Sequence, residues 1–99
     1  MLQNLTNNER DKVLQFQDHP GYGGQTVKVK VGLTTETLPH VTYGAGSHHV
    51  SIFYRRDGQD YRIVGVGQHD GKKGGKTIYS CLWEGKGGHR VQVQILDTK

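Results

Sequence analysis

The spacing of apolar and polar residues changes rhythm once along this chain, near residue 25. Before that point the regular stretch is Asn8 to Gln17, with Thr6 and Glu9 at the spacing of a capping box and acids early in the segment. A helix is expected there, ended by Pro20 and the glycines that follow it. Its apolar set, Leu5, Val13, Leu14 and Phe16, is thin, so it should rest on a sheet through one narrow stripe.

From Gln25 the period is two. Val27, Val29, Val31 and Leu33 alternate with Lys28 and Lys30, which predicts a half-buried strand with a basic outer face. Val50, Ile52 and Tyr54 alternate with His49, Ser51, Phe53 and Arg55; beyond Asp57-Gly58, Tyr61 and Ile63 alternate with Arg62, Val64 and Val66. These two runs form a predicted hairpin, because Asp-Gly supplies the positive φ of a tight turn. Thr77 to Trp83 and His89 to Leu96, with Val91, Val93 and Ile95 facing in, add two strands joined across residues 84–88. The order predicts one α+β domain over residues 1–99. In it an N-terminal helix packs on a twisted, mainly antiparallel sheet of about five strands.

Composition narrows the partners. With 32% hydrophobic residues, 22% charged and 15 glycines, the chain is polar yet patterned, so it should fold with many turns. Thirteen Lys and Arg against nine Asp and Glu give a formal charge of +4, with the excess clearest past residue 47. Such a surface favours polyanions, nucleic acid first among them, although the same charge also serves solubility alone. Cys81 is alone, which excludes an intrachain disulfide and a cysteine-built zinc site and points to an inert buried thiol. No apolar run reaches membrane-span length, and residues 1–20 lack the apolar core of a signal peptide. An aqueous, reducing compartment is expected, or excision from a longer protein.

Six histidines in 99 residues bring proton-transfer chemistry into view. His69 ends a predicted strand beside Asp70 and precedes Gly71, Lys72 and Lys73, so an acid or base would stand next to a loop able to approach a phosphate. A solvated strand end reads the same way. His48 and His49 invite a metal, but there is no His-x-His pair, no HExxH and no carboxylate at ligand spacing, so no metal site is expected. The run from Asp70 to Thr77 ends like a Walker A motif yet lacks its spacing and lies between strands. Nucleoside triphosphate binding is rejected, leaving a basic loop that contacts a backbone phosphate or a solvated turn. Arg55 and Arg62 fall on adjacent strands and Lys28 and Lys30 on another; if those faces coincide, they can clamp a phosphodiester. Tyr22, Tyr43, Tyr79 and Trp83 are candidates for stacking with bases.

The stretch VSIFYRRDGQDYRIVGVGQHDGK, residues 50–72, resembles the central hairpin of RelE/ParE-type toxins. There a strand of the form R-I-x-Y-R is followed by a short acidic-glycine turn, x-x-R-I-x-x-V-G-H and a basic tail. That family sits within the barnase, EndoU, colicin and RelE ribonuclease group, which includes toxin domains delivered by contact-dependent inhibition. The helical region here is shorter than in such toxins and some thirty residues follow His69, so the resemblance implies a divergent member.

What the resemblance implies is a metal-independent RNA endonuclease toxin that needs no cofactor. The ribose 2′-hydroxyl attacks the adjacent phosphorus, leaving a 2′,3′-cyclic phosphate and a free 5′-hydroxyl. His69 would act as acid or base with His48 or His49 as its counterpart, and Thr77 or Tyr79 would assist. Arg55 and Arg62 match the family's basic sheet positions and would hold the phosphate, together with Lys28, Lys72 and Lys73, which are chosen for their own charge and place in the chain. The implied partners are RNA, either tRNA or mRNA, and an acidic immunity protein or antitoxin, with no membrane. The site of action would be cytoplasmic, reached in one version as the C-terminal part of a larger secreted protein. Two other readings stand beside it: a nonenzymatic RNA-binding β-domain, and a structural or partner-binding module without nucleic acid.

Overall fold

The first strand of this protein hydrogen-bonds to the last. In the computed structural model, which describes residues 3–19, 25–44 and 49–96, helix α1 (Asn7–Asp18) precedes six strands. These are β1 (Thr26–Val31), β2 (Thr34–Tyr43), β3 (Val50–Asp57), β4 (Asp60–Lys73), β5 (Lys76–Trp83) and β6 (Arg90–Ile95). Each strand pairs antiparallel with its neighbour in sequence, and β1 also pairs with β6 through Val29↔Ile95 and Val31↔Val93. The result is a closed up-and-down barrel, which among the described strands leaves no open sheet edge around the ring.

All six strands contribute to the interior. Val27, Val29, Val31, Leu38, Phe53, Val64, Cys81, Trp83 and Val93 form one cluster, with Tyr79, Val91 and Ile95 at its margin. So small a barrel is filled by side chains alone, and the Trp83 ring and the close approach of β5 both need room. Gly65 and Gly67 on β4 provide it. A Cβ on Gly65 would stand 2.2 Å from the Trp83 indole, and one on Gly67 would stand 2.2 Å from the Ser80 carbonyl oxygen and 2.6 Å from the Cys81 Cα. Cys81 itself is fully buried, and that burial pushes its thiol far above the ordinary range.

A second apolar cluster lies outside the barrel. Phe16 of α1 is completely buried against Tyr54 and Tyr61, with ring centroids 5.0 and 4.9 Å away, over Val50, Ile52 and Val66. Strands β3 and β4 are therefore covered on both faces where the helix crosses them. The N-terminus of α1 carries the capping box expected from Thr6 and Glu9. Glu9 also receives both arms of the Arg90 guanidinium from β6, at 2.6 and 2.9 Å, while its own side chain has no exposure. Burial pushes the Glu9 carboxyl up, but the Arg90 bonds and the Thr6 amide outweigh it and hold it below the ordinary value of 4.5. Bonds from Arg55 hold Glu36 below that value too.

These lowered values have a sign. Stability supplied by Glu9 and Glu36 is complete above pH 4.5 and is lost as acidification passes through their folded values. Replacing Arg90 by alanine strands a buried carboxylate. We expect a loss of about 3 kcal/mol, the low end for breaking a buried pair, because Arg90 keeps part of its surface in water. Urea unfolding of Arg90→Ala at pH 7 and pH 4 checks this: the deficit should shrink at the lower pH, where protonated Glu9 tolerates burial.

The α+β arrangement of a helix on an open sheet of about five strands is thus overturned, since the chain is mostly β and its six strands close on themselves. The strand absent from the sequence reading is β2, whose TTETLPHVTY has no apolar alternation and contains Pro39, a residue that argues against strand. Leu33, expected as the last inward residue of the first strand, occupies the β1–β2 turn and is fully exposed. The glycine-lysine stretch expected as a loop is instead strand on both sides of a two-residue turn. Gly74 and Gly75 take φ of +59° and +81°, the positive pair that a type I′ hairpin turn requires.

Candidate functional site

The two ends of the barrel differ in chemistry. At the end holding the β1–β2 and β3–β4 turns, Arg55 grips Glu36 through Nε and Nη2 at 2.6 and 2.8 Å and donates to Glu84 through Nη1 at 2.8 Å. Arg62 donates to the same Glu84 oxygen at 3.0 Å. Charge there is balanced, two guanidiniums against two carboxylates, and the bonds from Glu36 and Glu84 raise the Arg55 pKa further. The hairpin does pair Arg55 with Arg62, as the sequence suggests. Their donors, however, are directed at protein carboxylates.

The other end gathers imidazoles. His49, just before β3, and His69 on β4 come to a ring separation of 6.0 Å, and His69 packs edge-on against Tyr79, its cross-strand partner, at 5.8 Å. Tyr79 meets Phe53 at 5.7 Å, and His40 stacks on the same Phe53 at 5.5 Å. The rings run without interruption from His40 through Phe53, Tyr79 and His69 to His49. His69 is exposed while His49, Tyr79 and His40 are half-buried, so solvent reaches the outer rings.

His40 was not singled out by sequence reasoning, because it lies on the unrecognised β2. Its Nδ1 stands 3.0 Å from the Gln25 carbonyl oxygen. A carbonyl only accepts, so Nδ1 carries the hydrogen and Nε2 of the neutral ring is left as the acceptor. The one sequence signal is its place two residues beyond Leu38, on the same inward face.

Past His69 the β4–β5 hairpin extends beyond the imidazole ring cluster as a ribbon. A bulge falls between His69 and Lys72, then Lys72 pairs with Thr77 and Lys73 with Lys76. Every residue from His69 to Lys76 is exposed, and the three lysines gather at the tip. Neither family models, curated proteins nor solved structures match this chain.

Of the candidates named from sequence, His49, His69 and Tyr79 come together, and Lys72, Lys73 and Thr77 share their hairpin. Arg62 lies seven residues before His69 on β4, on the order of 20 Å away at ~3.3 Å per residue. Lys28 projects from the exposed face of β1, a strand that pairs with β2 and β6. His48 and Tyr22 lie outside the described residues. Among the described residues no group of three or more His, Cys, Asp or Glu could hold a metal ion, and no helix is long and apolar enough to cross a membrane.

Proposed function

We propose that this protein is a metal-independent RNA endonuclease. The observation that supports the reading is the pairing of His49 with His69 at 6.0 Å, beside a lysine-tipped ribbon. Cleavage of RNA by its own 2′-hydroxyl needs a base at the attacking oxygen, an acid at the leaving 5′-oxygen and cations near the phosphorus. Two imidazoles within reach of one phosphodiester supply the first two. Lys72, Lys73 and Lys76 supply the third, and Tyr79, edge-on to His69, keeps that ring in place. Arg55 has no part in this version because its donors are committed to Glu36 and Glu84, and Arg62 because it stands on the order of 20 Å along β4 from His69. An enzyme of this kind endangers the cell that makes it, so an acidic neutralising protein that covers the lysine ribbon is part of the proposal.

The test is incubation of the purified protein with total RNA in EDTA, reading the fragments and their 3′ ends. Discrete products ending in 2′,3′-cyclic phosphate support the proposal. RNA that is retarded on a gel yet stays intact overturns the enzyme and leaves an RNA-binding barrel. The ribbon has its own signature. Exchanging Lys72, Lys73 and Lys76 together for glutamine should weaken RNA binding for all sequences alike. It should also flatten the plot of log K against log salt by about 2, at ~0.7 per lost phosphate contact on single strands. Filter binding at several salt concentrations measures that slope, and an unchanged slope would remove the ribbon from the interface.

A further inference from the structure

A cleft of about 860 Å³ opens between α1, the outer face of β4 and the connection that follows β5. That volume lies in the range of ligand pockets, about 300–1,000 Å³. Its floor is apolar, made by Val13 from the helix and Tyr61 and Ile63 from β4, with Trp83 at its border. Leu14 stands at the mouth with 55% of its surface in solvent. One wall is the 84–88 connection, whose glycines bring no side chain into the space; a Cβ at Gly85 would meet nothing within 4 Å.

Charge at the rim narrows the occupant. Arg62 and Glu84 both line the cleft but belong to the balanced network that includes Arg55 and Glu36. Arg10, on the exposed face of α1, also lines it and has no carboxylate partner among the described residues. Asp11, next to it in sequence, is taken by Lys12 and Gln15. One uncompensated positive charge therefore overlooks an apolar trough.

We propose that this cleft binds a small amphipathic monocarboxylate, its chain lying on Val13, Tyr61 and Ile63 and its carboxylate held by Arg10. The anion answers the unpaired guanidinium, and the apolar chain covers surface that the helix leaves open. This site shares no residue with the imidazole end, so it stands whether or not the protein cleaves RNA.

Trp83 is the sole tryptophan and borders the cleft, so its emission is followed together with the heat of binding, which needs no indole contact. The titration uses sodium decanoate below its micelle-forming concentration, with decylammonium and decan-1-ol as ligands of the same chain length. Decanoate should give a saturable signal and bind about tenfold or more tightly than either comparison ligand. Arg10→Gln, a change on an exposed helix position, should weaken decanoate about tenfold and erase the preference for the anion. His69→Ala should bind decanoate like the wild type. Absence of saturation, equal binding of decylammonium or decan-1-ol, or undiminished decanoate binding by Arg10→Gln would overturn the proposal.

Discussion

Under the proposed mechanism, alanine in place of His69 slows RNA cleavage by about 10²–10⁴-fold, the usual worth of a positioned acid or base. His49→Ala should do the same, and the double variant should lose little more than either single one, because two groups serving one proton relay act as a unit. His69 is exposed and His49 half-buried, so for His69→Ala the unfolding free energy should stay within about 0.5 kcal/mol of wild type. That separates lost chemistry from lost structure. Single-turnover cleavage of a defined RNA by wild type and variants measures these losses. Equal activity of wild type and His69→Ala would end the proposed mechanism.

The largest effect on folding is expected at a residue with no side chain. Gly67 sits where β4 and β5 press together inside the barrel, and the atoms that a methyl group would strike are the Ser80 carbonyl oxygen and the Cys81 Cα. Those are backbone atoms in a ladder closed on both sides, so nothing can rotate out of the way. Overpacking costs about 1–3 kcal/mol where neighbours can give, and here they cannot. Gly67→Ala should therefore lose at least about 3 kcal/mol, which in so small a domain is a large share of total stability. Gly65→Ala meets the Trp83 ring instead, a side chain, and should lose less. Urea denaturation of the two variants side by side gives the ranking; the reverse order would show that the indole is the more rigid neighbour.

The difference between what was legible in sequence and what was not follows burial. Helix α1 and its capping box could be read directly because Thr6 and Glu9 act locally. The β3–β4 hairpin could be read because its turn chemistry is local too. Barrel closure could not, since it rests on Val29↔Ile95 and Val31↔Val93, pairings between the two ends of the strand array that no window of sequence contains. Strand β3 was recognised by its apolar residues although Ser51 and Phe53 point into the barrel while Ile52 and Tyr54 face the helix. Two-sided burial erases the alternation that would have told which face was the core. At the imidazole end, His69 and His49 stood out as residue types, but their pairing depended on strand register. Arg55 looked available because Glu36 lay on the one strand that was not recognised, and Arg62 because its acceptor, Glu84, is 22 residues away in the connection after β5.

Closure of the barrel also governs how this chain can acquire its structure. Every strand contact except one joins sequence neighbours and can form as a hairpin early and cheaply; the β1–β6 seam alone must gather the whole array. A lone hairpin is marginal in water, and until the seam shuts, β1 and β6 each present an unpaired edge and the apolar lining stands open. The rate at which this protein matures, and its exposure to aggregation on the way, is therefore set by the last contact between its first and final strands.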